Sequence, residues 1–253
     1  MDNTIIKDNI LGTKKNHKSF KELTVDAINF AFSKPFSLLF LGVFLLAIEV
    51  IEEFIGEIIS FPLIFILIFV IAIILAIYEC GYSFMIFEYS LEGNNKPPSI
   101  FNYKEIFHHG IKDFLVMLFY SIIMVVVQVF INYCANNITN DFIAILLNNI
   151  NSFIGGFLII ILNIALINLA INEGNFKSAF NFTEIKTVFQ SIGLLRIIVI
   201  WFILDFVSFL FLHLLGFSGA DGIFILWDLV VLFILTPGLL LFSKRFLIMG
   251  VTH

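Results

Sequence analysis

The first candidates for chemistry in this sequence are five ionisable residues within or beside long apolar stretches: Glu49, Glu53, Asp205, His213 and Asp228. A charge at the centre of a bilayer costs about 2.5 to 3.5 kcal/mol even on insertion scales, so an ionisable group there points to a function or a partner. Asp205 is the strongest candidate, because we expect no Lys or Arg at its depth. Together the five residues are candidates for binding a proton, a cation or a small solute.

Each of these residues also has a purely structural interpretation. Glu53 and its acidic neighbours fit a solvated turn outside the membrane, and Glu49 and Asp228 lie close enough to an interface to reach water. Asp205 fits a protonated carboxyl that bonds a neighbouring helix. The sequence gives the depth of a residue but not its rotation about the helix axis, so it leaves open whether these carboxylates face one another.

Several enzyme motifs are incomplete in this chain. Residues 216–219 (GFSG) have the form of the rhomboid protease nucleophile motif, but no later helix supplies a histidine base. Residues 219–221 (GAD) lack the second glycine of the intramembrane aspartyl protease motif. His108 and His109 have no Cys or carboxylate pair to complete a zinc site, and no phosphate-binding or dinucleotide fingerprint occurs. We therefore expect no enzyme activity, no metal site and no cofactor.

The distribution of positive charge predicts the elements that carry these residues. Residues 35–95, 113–176 and 197–243 contain no Lys or Arg. Each stretch is too long for one crossing, which takes about 20 residues, and fits an out-and-back pair of helices. Three pairs give an all-α integral membrane protein with six transmembrane helices. Because Lys and Arg stay on the cytoplasmic side, both termini are expected in the cytoplasm.

Composition independently indicates a multi-pass protein of the cell membrane. The hydrophobic fraction is 60 %, the mean hydropathy is +1.05 and the chain has 33 Phe, whereas roughly half of a soluble domain is apolar. The formal charge is −5, and its predicted separation across the membrane lacks the concentrated basic face that nucleic-acid binding needs. The expected partner is the lipid bilayer, with anionic lipid contacted through cytoplasmic Lys and Arg. The sequence identifies no protein partner.

We divide the chain into a cytoplasmic segment, 1–34, and a six-helix domain, 35–253. Ser19 and Glu22 have capping-box spacing, and apolar residues follow at helical intervals, which predicts an amphipathic helix on the inner leaflet over 19–33. Residues 91–112 and 172–191 are predicted cytoplasmic loops, and Pro237 is expected to bend the last helix. The six spanning helices are predicted at about 36–54, 62 to beyond 82, 114–133, 142–171, 193–215 and 223–242.

A short motif occurs twice at an offset of 79 residues. Residues 101–106 (FNYKEI) and 180–185 (FNFTEI) match at four of six positions. The same offset relates the predicted start of the third helix, at 114, to that of the fifth, at 193. Subtracted from 114, it gives residue 35, directly before the first predicted helix. We interpret this as three tandem units, about 35–95, 100–175 and 179–245, each a helix hairpin with an amphipathic cytoplasmic segment. Coincidence in a chain rich in Phe, Asn and Ile is the alternative.

The residues around this motif also resemble a known family. They are Gly81-Tyr82, Gly93 through Pro97-Pro98 to Phe101, Phe107, Gly110-Ile111-Lys112, and Gly174 through Phe182. On these residues the chain resembles a family of uncharacterised polytopic membrane proteins of archaea and bacteria, defined only as a domain of unknown function. The resemblance implies a multi-pass fold from Pro35 onward and no particular activity, cofactor or site.

Two functions remain compatible with the sequence. The first is a non-enzymatic scaffold or accessory protein that organises lipid or a partner complex through its cytoplasmic interfacial helices. The inward positive charges and the lack of a catalytic set favour it. The second is a small-solute or cation transporter with Asp205, Glu49 and Asp228 along its path. An Asp205→Asn change should abolish transport but leave a scaffold unaffected or more stable.

Overall fold

The computed structural model describes residues 19–58, 62–138, 141–200, 202–203 and 231–252, and the described part of the chain is all-α. A 3-10 helix, Phe176–Phe180, precedes the sixth α-helix, and a π-helical turn, Val231–Leu235, precedes the last one. Residues 194–200 are also helical. The α-helices are α1 (Phe20–Phe32), α2 (Pro35–Ile58), α3 (Pro62–Leu91), α4 (Tyr103–Asn136), α5 (Asp141–Ile171), α6 (Phe182–Ile192) and α7 (Thr236–Thr252).

Three of the described helices are long and apolar enough to cross a membrane. They are Leu63–Leu91 in α3, Tyr103–Asn136, which is α4, and Ile145–Ile171 in α5. A fourth candidate arises if Phe20–Phe32 and Pro35–Phe44 are counted as one span, bent by 75°. The prediction of an all-α fold is confirmed for the described residues, and the three or four candidate spans agree with a multi-pass membrane protein. Six crossings and three repeats remain predictions, because residues 204–230 of the expected fifth and sixth helices lie outside the described part of the chain.

Helix α1 begins where its capping box predicts. The Ser19 hydroxyl accepts a hydrogen bond from the Glu22 backbone N–H at 3.3 Å, and the Glu22 carboxylate accepts one from the Ser19 N–H at 2.8 Å. This exchange satisfies two backbone donors that the first helical turn leaves free. The bend of 75° before Pro35 turns α1 across the direction of α2, as expected for a helix that lies along a membrane surface.

Helix α4 is longer at its start than we predicted. The expected loop over 91–112 ends early, because α4 already begins at Tyr103, and the Asn102 side chain donates to the Glu105 carboxylate at this start. Gly93 and the prolines at 97–98 keep residues 92–102 out of a helix, but not the residues from Tyr103 onward. The charged residues after them favour a solvated helix as much as a loop, and this is why hydropathy placed the boundary too late.

Helix α5 is one continuous helix. It runs unbroken from Asp141 to Ile171, so the asparagines near 150 do not split it. One of them, Asn151, donates a hydrogen bond to the side chain of Asn132 in α4 at 3.0 Å. This contact joins two candidate spans through side-chain amides, which is a common use of asparagine between transmembrane helices.

The predicted second loop, 172–191, is largely helical. Asn181 caps α6 by accepting a hydrogen bond from the Glu184 backbone N–H at 3.4 Å, and Gly193 ends α6 with a φ of +86°. A left-handed backbone at this position suits glycine, which has no Cβ to clash. The helix therefore stops and a new helical segment starts at 194.

The last helix differs from its prediction at its C-terminal end, and its predicted start at 223 lies outside the described residues. A π-helical turn, Val231–Leu235, precedes Pro237, and a bend of the helix at this proline stays a prediction. We expected the helix to end at Lys244 and Arg245, but α7 continues to Thr252. That prediction was wrong because Arg245 is buried inside the bundle, at 4 % exposure, rather than placed at a boundary with water.

Helices α3 and α4 cross in close contact at two glycines. A Cβ atom added to Gly81 would lie 1.9 Å from the carbonyl oxygen of Ile106, and one added to Gly110 would lie 2.1 Å from that of Ile77. Only glycine fits at either position, because backbone of the other helix occupies the space. Small residues at crossings are typical of transmembrane helix packing, where close approach supplies much of the attraction.

Candidate functional site

The structure leaves the predicted site residues untested. Asp205, His213 and Asp228 lie outside the described residues. Glu49 and Glu53 belong to α2, where the backbone is described but these side chains are not. A shared site formed by these five residues therefore stays a prediction. The described residues show a different polar cluster, centred on α7 and flanked by α1, α3, α4 and α5.

The first part of this cluster is a buried arginine that connects three helices. Arg245 of α7 pairs with the Asp26 carboxylate of α1, with 3.3 Å between Nη2 and Oδ2, and its Nη1 donates to the backbone oxygen of Ser90 at 3.3 Å. The guanidinium carbon also lies 4.9 Å from the centroid of the Phe30 ring, within cation–π range. Buried charges need such partners, so the sequence of α7 fixes α1 against the bundle.

The neighbouring residue, Lys244, makes contacts with other helices. Its ammonium donates to the side-chain oxygen of Asn163 in α5 at 3.3 Å and lies 4.9 Å from the centroid of the Phe87 ring in α3. Successive residues of an α-helix point about 100° apart, which is why two adjacent cations of α7 serve different neighbours.

Asp113 of α4 is an acidic group whose charge acts on Lys244. Its side chain is only 1 % exposed, and its Oδ1 atom accepts no hydrogen bond from any described residue. A buried carboxyl in a candidate span is costly unless a cation or a ligand compensates it. Our sequence reasoning missed this residue, although it directly follows Lys112 and begins an apolar stretch.

A cleft of about 60 Å³ lies beside Lys244, between α5, the helical segment 194–200 and α7. Its walls are largely apolar, with isoleucines of α5 on one side and Ile197 and Ile200 on another. Asn163 and Ser243 are polar residues of the lining. Because Asn163 also accepts the hydrogen bond from Lys244, the cleft and the Lys244 ammonium share one residue.

A second polar network fixes α6 to α5. The Asn168 side chain, 2 % exposed, donates to the Ser178 backbone oxygen at 2.8 Å and to the Glu184 carboxylate at 3.2 Å. Asn172 donates to the same carboxylate at 3.3 Å. These bonds position a helix and suggest no ligand. Within the described ranges, no three His, Cys, Asp or Glu residues lie close enough together to hold a metal ion.

Comparison with known families supports the resemblance noted in the sequence. A family model described as DUF4013, protein of unknown function, matches residues 64–219, which include the glycine crossing, Asp113 and Asn163. Searches of curated proteins and of solved structures found no match. The matched residues form more than half of the chain and cover the candidate spans of α3, α4 and α5. The chain therefore belongs to the DUF4013 family of proteins of unknown function.

Proposed function

We propose that the chain is a non-enzymatic multi-pass membrane protein that organises anionic lipid, or a partner complex at the membrane, through interfacial segments on its cytoplasmic side. The observation that carries this proposal is the surface composition of three helical segments: α1, the first turns of α4, and α6. Each exposes large apolar side chains close to lysines. This combination suits the boundary between lipid headgroups and hydrocarbon.

Helix α1 has apolar residues on two sides. Leu23, Ala27 and Phe30 are buried against the bundle, while Val25 and Phe32 are each 48 % exposed. The buried side is already occupied, so the exposed side is free to enter a lipid surface or contact a partner. The Arg245 contact with Asp26 holds this arrangement in place.

The starts of α4 and α6 expose aromatic rings in the same way. Tyr103 is 60 % exposed and Phe182 is 71 % exposed, and Lys104 and Lys186 are exposed on the same helices. Aromatic side chains favour the membrane interface. Each lysine close to an anionic surface contributes about 1 kcal/mol of attraction, so a few lysines give a measurable preference for anionic lipid.

Two tyrosine contacts support the three-unit organisation that forms part of this proposal. The Tyr78 hydroxyl donates to the backbone oxygen of Ile100, and the Tyr120 hydroxyl donates to that of Ala179 at 2.9 Å. These two acceptors are 79 residues apart, the same offset as the repeated motif. The residue before each motif therefore accepts a hydrogen bond from a tyrosine, although the two donors lie in different helices, α3 and α4, and do not follow the offset. Six crossings with both termini cytoplasmic complete the proposed arrangement.

Melting temperatures in lipid test the proposal. The protein is reconstituted in vesicles of phosphatidylcholine with or without phosphatidylglycerol, as the wild type and as a triple variant with Lys21, Lys104 and Lys186 changed to Gln. Phosphatidylglycerol should raise the melting temperature of the wild type by more than that of the variant. The matched control changes the same three lysines to Arg and should behave as the wild type. Equal lipid effects in the wild type and the Gln variant would exclude the proposed role.

A second candidate function, small-solute or cation transport, is favoured by one observation. Asp113 is a buried carboxyl in a candidate span, with one oxygen that no described group satisfies, and the predicted carboxylates Glu49, Asp205 and Asp228 would extend such a path. Proteoliposomes under proton, sodium or potassium gradients should then show flux that Asp205→Asn and Asp113→Asn abolish while the variants remain monodisperse. No flux in the wild type under any of these gradients would remove this candidate.

A further inference from the structure

We propose that Phe20, Tyr103 and Phe182 are three equivalent membrane anchors, each of which inserts its ring at the boundary between lipid headgroups and acyl chains. This inference rests on the proposed function, because it concerns the same interfacial segments. It goes further by assigning the lipid contact to one residue of each segment, at one depth, and it requires no anionic lipid.

The three aromatic residues share one local structure, which we call the helix-start motif. Each copy has a Ser or Asn cap, an aromatic residue as the first helical residue, a glutamate at the third helical position and Leu or Ile at the fourth. The copies are 19–23 (SFKEL), 102–106 (NYKEI) and 181–185 (NFTEI), and their helices start 83 and 79 residues apart. In each copy the cap residue and the glutamate share a hydrogen bond. The start of α1 therefore matches the starts of α4 and α6.

The helix-start motif fixes each helix to the bundle and leaves the ring outside. The apolar residue at the fourth position is buried in all three copies, as Leu23, Ile106 and Ile185. One turn earlier, the aromatic side chain is 46 to 71 % exposed. Bonds from Cα to Cβ tilt toward the N-terminus of a helix, which is why the first residue stays exposed beyond the packed turn. Aromatic residues on such helices insert into the headgroup boundary of a bilayer.

The start of α4 lies at one end of the candidate spans. Positions 81 and 77 of α3 meet 106 and 110 of α4, and positions 132 and 128 of α4 meet 151 and 155 of α5, so the three helices are successively antiparallel. Tyr103 is therefore near the ends of α3 and α5. The 34 residues of α4 measure about 51 Å at 1.5 Å per residue, whereas the hydrocarbon core is about 30 Å thick. The first turn of α4 then lies at the level of the headgroups.

Helices α1 and α6 start at the same end of the spans. Arg245 connects Asp26 of α1 to the carbonyl of Ser90, next to the last residue of α3. Near the end of α5, Asn168 donates to the carboxylate of Glu184, the glutamate of the third copy. All three rings are thus exposed toward one membrane surface. A lipid interface is the surface that three separate rings at the ends of spans reach together.

Tryptophan fluorescence in vesicles of phosphatidylcholine tests the anchors. In a background with Trp201 and Trp227 changed to Phe, the reporters Phe20→Trp, Tyr103→Trp and Phe182→Trp are made singly. The lipids carry bromine at shallow or deep positions of their acyl chains. Shallow bromines should quench each reporter about twofold more than deep ones, since an interfacial ring lies about 5 to 10 Å into the headgroup boundary.

Two matched reporters calibrate the depth. Ile122→Trp, at an exposed position in the middle of the span of α4, should be quenched most by deep bromines. Asn94→Trp, in the exposed polar turn 92–96, should respond to iodide in the water but not to brominated lipid. If the background fails to fold, as judged by circular dichroism, both native tryptophans are kept and the difference between each reporter and the wild type is measured.

Any of the three reporters that behaves as Asn94→Trp or as Ile122→Trp would overturn the inference, and quenching by iodide alone would indicate a surface for a protein partner instead. The outcome is separate from that of the triple lysine variant. Shallow quenching without a phosphatidylglycerol effect would leave the anchors and remove the proposed role in organising anionic lipid. A phosphatidylglycerol effect without shallow quenching would remove only the anchors.

Discussion

Replacing either glycine of the α3–α4 crossing with alanine should strongly destabilise the protein. The Cβ atom of Gly81→Ala would stand 1.9 Å from the Ile106 carbonyl oxygen, whereas close carbon–oxygen contacts in proteins lie at about 3.3 to 3.6 Å. The two backbones would have to separate by about 1.5 Å to restore that contact distance. The same reasoning applies to Gly110→Ala, where the distance to the Ile77 oxygen would be 2.1 Å.

The expected loss is about 3 kcal/mol or more for each single change, at the upper end of the usual cost of overpacking. For a chain of this size, that corresponds to a fall of roughly 6 to 12 °C in melting temperature, at about 2 to 4 °C per kcal/mol. Because Gly81 and Gly110 belong to one crossing, their effects should not add. Once one alanine has separated the helices, the second costs little, and the double variant should melt close to the less stable single variant.

The assay is thermal unfolding of purified protein in one detergent, followed by circular dichroism. Gly155→Ala is the matched control, since Gly155 is also a buried glycine of a candidate span. Among the described residues, a Cβ atom there would meet only the side-chain nitrogen of Gln128, at 2.9 Å, and that flexible side chain can move. Alanine also favours a helix by about 1 kcal/mol over glycine, so this control should be neutral or stabilising. Melting of Gly81→Ala and Gly110→Ala at the temperature of Gly155→Ala would refute the reasoning.

Four further substitutions have expected outcomes. Arg245→Ala should lower the free energy of unfolding by about 3 to 5 kcal/mol, the usual loss when one partner of a buried pair is removed, and amide hydrogen exchange in α1 should become faster. Asp26→Asn keeps a hydrogen-bond acceptor for Arg245 and should lower the free energy of unfolding by less. Tyr120→Phe should cost about 1 to 3 kcal/mol by leaving the Ala179 carbonyl without its donor, as measured by chemical unfolding. Glu173→Gly should raise the melting temperature, because φ there is +53° and a left-handed backbone costs an ordinary residue about 1 to 2 kcal/mol; an unchanged or lower value would contradict this.

The features that the sequence predicted correctly are those determined by neighbouring residues. The capping box at Ser19 follows from hydrogen bonding between residues three positions apart. The all-α membrane fold follows from hydropathy over windows of about 20 residues. These properties depend little on what lies across the bundle, so a single sequence contains them.

The errors concern residues whose environment is set by distant parts of the chain. Hydropathy treats each Lys and Arg as a residue in contact with water, so it ended the last helix at Lys244. It missed the burial of Arg245, whose ion-pair partner Asp26 lies 219 positions away in the sequence. Asp113 was overlooked for the same reason, because its burial and its attraction to Lys244 depend on packing between helices. The polar cluster around α7 is therefore formed by tertiary contacts between helices, whereas the candidates from the sequence were selected by their predicted depth in the membrane alone.

The contact of α1 with α7 has a consequence for the order in which the protein is built. Ribosomes deliver the chain from its N-terminus, so Asp26 and Phe20 emerge long before Arg245 and Phe246, whose ring lies 5.4 Å from that of Phe20. Throughout synthesis, the buried side of α1 has no partner from α7. Completion of the last helix supplies the missing charge and ring together, so a chain truncated before α7 carries an undocked apolar helix that quality-control machinery could recognise.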